Sequence, residues 1–333
     1  MASLATPDPP RRVVEGMPLP SELTPEQYTF QATTTTSTTT ATQASNAFEK
    51  VGLVKIQNLI PRELSLQALQ EAQSSFDELF AAMKERNVEL QQGTKGGYAE
   101  IVQRSEGRYE MNYKMTTGIF ANPIFTNNAW LQTFMNNILG ESTTKEDTNT
   151  GTKTETETET ETIEWELNRR SLLISFPDAK GQQWHVDGDH RTKSTHSSAH
   201  AINVFIALGD ITLDMGPTEF RPCSHFLSRK LFKFMMLARA RKQLHAPVQP
   251  VASSGDAVIF DYRTLHRGTE NNSQLPRAML ELVFFKKGYT DLLNFPKRSI
   301  FKNVKKTNNN ESEVEKEETK KAVVVPAVCI EDR

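Results

Sequence analysis

The second half of the chain is a succession of short apolar segments separated by turns, and this pattern restricts the possible folds most. Segments 171–176, 201–208, 257–262 and 278–286 are rich in β-branched and aromatic residues and are bounded by glycine, proline or polar residues. Each is short for a helix and has the composition of a strand. Many short strands of this kind predict a closed or two-sheet β architecture.

Two helices and two further strands are expected before this region. Apolar residues recur at helical spacing over 64–80, just after Pro61, which suits a first helical turn. A second helix is expected over 122–140, where a glycine ends it. Strands are expected within 48–56 and 107–115. The sequence therefore predicts a mainly β protein of the α+β class, with helices on the N-terminal side of the β core.

Three segments have compositions that do not favour a packed core. Residues 1–46 contain clustered prolines and a threonine-rich run, and are expected to be disordered. Residues 141–162 end in a Thr-Glu repeat with like charges at every second position, which predicts a surface loop inserted within one domain. Residues 291–333 carry mixed charge and are expected to form a mobile tail. A single domain is therefore predicted over 47–290.

Charge and cysteine content disfavour several classes of protein. The 333 residues include 39 Lys or Arg and 41 Asp or Glu, for a net charge of -2, so no nucleic-acid or membrane partner is expected. The two cysteines, Cys223 and Cys329, are too few for a disulfide framework. No apolar run is long enough to span a bilayer and no targeting signal is recognised, so a cytoplasmic protein is expected. The sequence leaves the oligomeric state open.

A histidine and a carboxylate two residues apart mark a candidate metal site. His185 and Asp187 are expected on extended backbone, where residues two apart point to the same face. A His-x-Asp pair alone is a weak signal, because short motifs occur by chance. His266 follows the strand predicted at 257–262 and completes the two-histidine, one-carboxylate set that binds non-haem Fe(II) with positions left open. Arg277 lies 11 residues beyond His266 and begins another predicted strand.

Four sequence elements occur in a fixed order along the chain. They are His185-Val186-Asp187, the segment 202–217, Arg221-Pro222-Cys223-Ser224-His225, and His266-x-Gly268-x-x-Asn271-x-Ser273-x-x-x-Arg277. Together they resemble the phytanoyl-CoA dioxygenase family, and the ordered set, with an arginine 11 residues past the distal histidine, is fairly specific. The N-terminal strand and helix also fit, and the resemblance covers residues 48–285.

This resemblance implies a fold, a site and an activity. Family members are Fe(II)- and 2-oxoglutarate-dependent oxygenases on a double-stranded β-helix, a jelly-roll or cupin-like core, here with N-terminal helices packed on it. His185, Asp187 and His266 would be the catalytic residues that hold Fe(II). 2-Oxoglutarate would chelate the iron, O2 would take the last position, and Arg277 would pair with the C5 carboxylate through two hydrogen bonds. The implied activity is a dioxygenase that hydroxylates a small organic molecule and releases succinate and CO2.

Two positions depart from the family pattern. Where the family commonly has Pro-Gly-Ser-His, the chain has Cys223 in place of the glycine. This change is expected to affect the turn, because glycine adopts positive φ at little cost. Two residues after the distal histidine some members have serine, and this chain has Gly268. A hydroxyl that serves the cosubstrate then comes from elsewhere or is absent.

Several other residues have more ordinary interpretations. His190, His196 and His200 form a loose cluster without structural-zinc spacing, which is interpreted as a solvated loop near the pocket mouth. His225 is interpreted as a structural hydrogen-bonding residue. Cys223 is interpreted as a small packed side chain, because no base is identifiable beside it.

Alternatives to small-molecule hydroxylation stay open. A non-catalytic cupin-like binding or regulatory protein would keep the fold without turnover, but it has no need of all three ligands and Arg277. A 2-oxoglutarate-dependent halogenase needs a small residue in place of the carboxylate ligand, so Asp187 argues against that reaction. An oxygenase that acts on a protein substrate remains possible, whereas the charge balance disfavours nucleic acid.

Overall fold

The computed structural model describes residues 23–32, 37–140, 165–191, 196–227, 245–291 and 294–301. Within these ranges it contains the helices α1 (Ser37–Val51), α2 (Arg62–Glu85) and α3 (Ala129–Leu139). The strands in the same ranges are β1 (Thr29–Gln31), β2 (Leu53–Gln57), β3 (Ile101–Ser105), β4 (Arg108–Met111), β5 (Trp165–Ser175), β6 (Ala201–Ala207), β7 (Thr218–Phe220), β8 (Ala257–Asp261), β9 (His266–Gly268) and β10 (Arg277–Lys286).

Eight of these strands form one sheet and the other two form a second sheet. The large sheet has the order β1-β2-β8-β6-β10-β5-β4-β3, and the small sheet pairs β7 with β9. Neighbouring strands are antiparallel except β1 and β2. Phe220 of the small sheet packs on Phe260 of the large sheet, with 5.0 Å between the ring centroids. The result is a mixed α+β protein with a jelly-roll core, which confirms the predicted fold class.

The central strands of the large sheet are buried along nearly their whole length. Every residue of β6 is buried, as is every residue of β10 except Lys286. Both strands are mostly apolar, as burial on both faces requires. The polar exceptions are Asn203 in β6 and Arg277 and Glu281 in β10. A buried polar group costs stability unless it finds a partner, so these three residues need a specific role.

The helices pack on the β core as predicted. α1 contacts α3, where Phe48 and Phe134 meet edge to face at 5.4 Å between ring centroids. α2 buries one face through residues at helical spacing, and its Phe76 contacts the Phe176 ring at 5.1 Å. No helix in the described part of the chain has the length and apolar character that a bilayer-spanning segment needs.

The predicted disorder of residues 1–46 is wrong for the part of that segment that the structure describes. α1 begins at Ser37, inside the threonine-rich run, and β1 pairs with β2 in parallel. The run contains alanines at the right positions for a helix, because Ala41, Ala44 and Phe48 are buried on one face. Threonine has only a weak penalty in helices, and packing against the core overrides it. The remaining residues of the predicted segment, 1–22 and 33–36, lie outside the described ranges.

The predicted domain end at residue 290 is too early. Ile300 is buried, and its backbone N–H donates to Glu100 Oε2 at 3.0 Å. The Arg298 carbonyl accepts from the backbone N–H of Ala99 at 2.7 Å, so residues 294–301 pack on the body of the domain. The mixed charge of residues 291–333 led to the prediction of a mobile tail, although the apolar Ile300 packs on the domain. Residues 302–333 and the loop predicted at 141–162 lie outside the described residues.

Some element boundaries also differ from the predictions. The strand predicted from residue 171 starts at Trp165, whose ring packs on Phe284 at 5.5 Å between centroids. The helix predicted from residue 122 starts later. Asn128 caps it by accepting a hydrogen bond from the Leu131 N–H at 2.9 Å. No strand was predicted at the position of β3.

Candidate metal centre and cosubstrate site

Backbone pairing brings the two histidines of the predicted site together. His185 and His266 form an isolated antiparallel bridge, with reciprocal N–H to C=O bonds of 3.0 and 2.9 Å. Their rings lie 4.4 Å apart between centroids. The Asp187 N–H donates to the Tyr262 carbonyl at 3.0 Å, which fixes the backbone two residues after His185. Residues that are remote in sequence therefore present their side chains at one place.

The three side chains surround a space that one ion can fill. Nε2 of His185 is 3.8 Å from Asp187 Oδ1, and Nε2 of His266 is 3.6 Å from Asp187 Oδ2. One ligand atom from each residue lies within 4.8 Å of the others. Among the described residues, this is the group of histidine, cysteine and acidic side chains that is placed to hold a metal. Whether these residues bind iron stays a prediction.

Hydrogen bonds set both rings in the tautomer that a metal ligand needs. Nδ1 of His185 donates to the Gln183 carbonyl and Nδ1 of His266 donates to the Thr264 carbonyl, each at 2.9 Å. A carbonyl only accepts, so the proton sits on Nδ1 and leaves the Nε2 lone pair available. Burial is the main cause that lowers the pKa of His266 to about 4; the Asp187 carboxylate opposes the shift and the neighbouring His185 adds to it. His266 is therefore neutral at physiological pH, which metal binding requires.

The carboxylate also has a partner that orients it. Asn203 Nδ2 donates to Asp187 Oδ2 at 2.5 Å. Asn203 is fully buried in β6, so the amide that donates to Asp187 is shielded from solvent. Its role explains why a polar residue is tolerated at this central position.

The triad opens into a cavity of about 270 Å³ between the two sheets. The small sheet supplies Thr218, His266 and Gly268, and the large sheet supplies the opposite wall. Arg277 lines the same cavity as the triad. The residues of the large sheet on this wall include Arg108, Glu110, Arg169, Ser175, Phe205, Arg277, Met279 and Glu281.

Arg277 is a buried cation whose hydrogen-bonding capacity is largely unused. Its Nη2 donates to Ser175 Oγ at 3.2 Å, whereas Nε and Nη1 have no hydrogen-bond partner among the described residues. Burial, together with the nearby Arg108 guanidinium, lowers the pKa of Arg277 to about 9. An unpaired buried guanidinium is unfavourable unless an anion joins it. The cavity therefore suits a carboxylate-bearing ligand at Arg277.

Sequence reasoning missed several polar residues of the cavity. Arg108 and Glu110 occupy alternate positions of a predicted strand, so a shared inward face could have been inferred. Glu281 interrupts an apolar run four residues after Arg277, and a charge in a predicted buried strand is a recognisable signal. Ser175 carried no comparable signal, because serine is common at strand ends.

The histidine cluster differs from the predicted solvated loop. His200 is buried and contacts the Tyr289 ring at 4.5 Å between centroids. Burial lowers the pKa of His200 to about 4. The His196 ring contacts the Phe226 ring, with 4.3 Å between the ring centroids. His225 is buried and its Nε2 donates to the Glu49 carbonyl at 3.0 Å, consistent with a structural hydrogen bond.

Cys223 keeps the backbone conformation that a glycine would favour. Its φ is 62° and its ψ is 1°, in the left-handed region, and its N–H donates to the Val51 carbonyl at 2.6 Å. The expected disturbance of the turn is therefore absent from the backbone. Burial raises the pKa of the Cys223 thiol to about 12, which leaves it protonated and unsuited to act as a nucleophile.

Comparison with known proteins identifies related folds. The α-ketoglutarate-dependent epimerase SnoN from nogalamycin biosynthesis has a TM-score of 0.50 at 12% identity, over 79% of this chain and 96% of SnoN. The carbocyclase SnoK from the same biosynthesis has a TM-score of 0.49 at 14% identity, over 81% of this chain and 87% of SnoK. AviO1 from Streptomyces viridochromogenes Tue57 has a TM-score of 0.48 at 16% identity, over 75% of this chain and 97% of AviO1. At such identities the SnoN match shows a shared fold.

The family follows from the sequence itself. The family model described as Phytanoyl-CoA dioxygenase (PhyH) matches residues 48–279. The match spans most of the chain and contains the candidate metal ligands His185, Asp187 and His266 together with Arg277. The chain therefore belongs to the phytanoyl-CoA dioxygenase family.

Proposed function

We propose that this protein is an Fe(II)- and 2-oxoglutarate-dependent dioxygenase that hydroxylates a small organic molecule. Family membership and the triad support iron- and 2-oxoglutarate-dependent oxygenase chemistry or a related 2-oxoglutarate-dependent reaction. One observation supports the more specific proposal of an Fe(II)- and 2-oxoglutarate-dependent hydroxylase. A two-histidine, one-aspartate group shares a cavity with a buried arginine that has unused donors.

The three side chains fit Fe(II) by their chemistry as well as their spacing. Two neutral imidazoles and one carboxylate form the facial set that leaves further positions open. His185 and His266 would bind through Nε2, while their Nδ1 protons stay on backbone carbonyls. Asp187 would bind while Asn203 holds its second oxygen. The oxidising chemistry comes from the bound iron, 2-oxoglutarate and O2, with succinate and CO2 as the products of the cosubstrate.

Arg277 would hold the far carboxylate of the cosubstrate. Its Nε and Nη1 have no hydrogen-bond partner among the described residues, and Nη2 has a second hydrogen besides the one on Ser175. Either edge of the planar guanidinium, Nη2 with Nε or Nη2 with Nη1, can donate two parallel hydrogen bonds to one carboxylate. Burial of the pair strengthens the attraction and excludes water from this end of the cavity. The side chain thus orients the cosubstrate along the cavity that the triad shares.

The substrate class is a small molecule. The cavity of about 270 Å³ suits a compact ligand, and its wall of paired charges suits polar groups. A structure of the fold relative SnoN is described as a complex with Fe3+, α-ketoglutarate and nogalamycin RO, which is a small-molecule ligand. Because SnoN is named an epimerase, the product test must identify the reaction as well as the substrate.

The test is turnover of the purified protein with Fe(II), 2-oxoglutarate and O2 in the presence of candidate compounds. We expect succinate formation matched by a product that has gained one oxygen atom, measured by mass spectrometry. His185→Ala and Asp187→Ala should abolish both signals, while His190→Ala, a histidine outside the triad, should retain them. Iron binding without succinate from any compound would favour the non-catalytic cupin-like alternative.

A further inference from the structure

We propose that Glu281 and Arg169, held in place by Glu110, form a substrate subsite that binds an uncharged hydroxyl group beside the candidate metal ligands. This inference rests on the proposed function, because it concerns the part of the cavity that the metal and 2-oxoglutarate leave free. It narrows the substrate class to uncharged alcohols.

Strand positions place this subsite at the opposite end of the cavity from Arg277. Arg277 and Glu281 both line the cavity and are four residues apart in β10, so they lie about 13 Å apart along its wall. Phe205 of β6 is the direct neighbour of Glu281. Asn203, two residues before Phe205 and on the same face, donates to Asp187 Oδ2. Asp187 therefore lies at the Glu281 end, and a cosubstrate that reaches from the metal to Arg277 leaves the Glu281 end free.

The side chains of the subsite hold one another and keep capacity for a ligand. Ser171 Oγ lies 2.6 Å from Glu281 Oε2 and 2.9 Å from Glu110 Oε1. Arg169 Nη2 donates to Glu281 Oε1 at 3.3 Å, and Arg169 Nε lies 3.5 Å from Glu110 Oε1. A carboxyl oxygen has two lone pairs and a guanidinium has five hydrogens, so Glu281 can accept and Arg169 can donate further hydrogen bonds. The subsite thus offers an acceptor and a donor side by side.

The charges at this end of the cavity balance without a ligand. Arg104 Nε donates to Glu110 Oε2 at 2.6 Å, and Arg169 pairs with both Glu110 and Glu281. Two guanidinium groups therefore face two carboxyl groups, and all four side chains line the cavity. An ammonium or a carboxylate on the substrate would be an additional buried charge without a partner, which is costly. A hydroxyl carries no charge and can donate to Glu281 while it accepts from Arg169.

Apolar side chains border the subsite and suit the carbon skeleton of such a substrate. Phe205, Leu173 and Met279 line the cavity, and Leu173 is the direct neighbour of Met279 across β5 and β10. A ligand site of this kind combines an apolar lining with a few polar groups that fix orientation. The subsite therefore suits a compact hydrocarbon skeleton that carries a hydroxyl group.

The test uses protein loaded with Mn(II) and N-oxalylglycine, an analogue of 2-oxoglutarate that occupies the Arg277 end and does not turn over. The probes are cyclohexanol, cyclohexylammonium and cyclohexanecarboxylate, which share one ring and differ in one group. Mn(II) speeds the relaxation of nearby protons, so proton NMR relaxation of each probe during a titration gives its affinity close to the metal. We expect cyclohexanol to bind at least about tenfold more tightly than either charged probe.

Variants of Glu281 test the residue itself. Glu281→Met keeps a long side chain without the acceptor and should weaken cyclohexanol binding about tenfold, the loss expected for one buried hydrogen bond. Its affinities for Mn(II) and N-oxalylglycine should not change, which also shows that the variant is folded. Glu281→Gln keeps a carbonyl oxygen and should retain cyclohexanol binding. Glu166→Met is the matched control, because Glu166 is exposed in the neighbouring strand β5, and it should bind cyclohexanol as the wild-type protein does.

Four results would overturn this inference alone. They are no cyclohexanol binding to the loaded wild-type protein, equal affinity for the three probes, tighter binding of a charged probe, and wild-type cyclohexanol affinity in Glu281→Met. The first three need no variant, so the inference stays testable if Glu281→Met does not fold. Failure of the wild-type protein to bind Mn(II) or N-oxalylglycine would overturn the proposed function with it.

Discussion

Replacing Glu281 with glutamine should remove a loss of stability that the wild-type protein suffers as pH rises. Ser171 Oγ lies 2.6 Å from Glu281 Oε2 and 2.9 Å from Glu110 Oε1. One hydroxyl proton can serve only one carboxylate, so the other contact needs a proton on a carboxyl group. Burial raises the pKa of Glu281 to about 7, Glu110 and Asp187 add to the rise, and Arg169 opposes it. Glu281 is thus the group that carries the proton.

The magnitude follows from the change in pKa. Glu281 has a pKa near 4.5 when unfolded and about 7 in the folded protein. A folded pKa above the unfolded value means that the contribution to stability is fully present below pH ~4.5 and is lost as pH rises through ~7. At about 1.4 kcal/mol per pKa unit, the loss reaches about 3 kcal/mol at pH ~9.

The assay is urea unfolding of the metal-free protein at pH values near 5, 7 and 9. Glutamine cannot ionise, so Glu281→Gln should match the wild-type protein near pH 5. It should be more stable than the wild-type protein by 2–3 kcal/mol, about the full loss, near pH 9. The difference between the two pH profiles reports the ionisation of Glu281 within its cluster, because Glu110, Asp187 and Arg169 interact with its charge.

Glu63→Gln is the matched control, because Glu63 is exposed in the first turn of α2. Its pH profile should follow the wild-type profile. Parallel pH profiles for wild type and Glu281→Gln would refute the assignment of the shared proton to Glu281.

Three further predictions follow from single contacts. Arg277→Lys should raise the KM for 2-oxoglutarate by about tenfold or more with a smaller change in kcat, because an ammonium cannot make two parallel hydrogen bonds to a carboxylate. An unchanged KM in steady-state assays would show that Arg277 does not bind the cosubstrate carboxylate. Asn203→Ala should weaken Mn(II) binding about 10- to 100-fold by freeing Asp187, as calorimetry can check, and wild-type affinity would contradict it. Cys223→Val should lower the free energy of unfolding by about 2 kcal/mol, because a β-branched residue is strained at a φ of 62°. Cys223→Gly should lower it by less than about 1 kcal/mol. Urea unfolding measures both values, and equal stability of the two variants would disprove the strain.

The main strands and the candidate site residues could be predicted from the sequence because their signals are local. β6, β8 and β10 are mostly apolar runs, and His185 and Asp187 are two residues apart, as on one face of a strand. His266 could be added because it follows a predicted strand, and Arg277 because of the resemblance to a family. These residues lie near the ends of secondary-structure elements, so the predicted element boundaries also indicate where the residues lie.

The rest depended on tertiary contacts. Ser175 and Arg108 both lie in predicted strands, yet their meeting requires the register of β4 on β5, which strand composition does not specify. α1 was missed because threonines conceal a buried stripe that depends on packing against α3. The packing of Ile300 was missed for a similar reason, since the few apolar residues at the start of the charged tail show no helix or strand period.

The most direct measurement of the central claim is anaerobic titration of the purified protein with Fe(II) and then with 2-oxoglutarate. If His185, Asp187 and His266 hold iron in a cavity that also takes the cosubstrate, a weak visible charge-transfer band of the chelate should appear. The band should be lost in His266→Ala and retained in His190→Ala. Iron bound by the wild-type protein without this band, or a band that survives His266→Ala, would contradict the proposed centre.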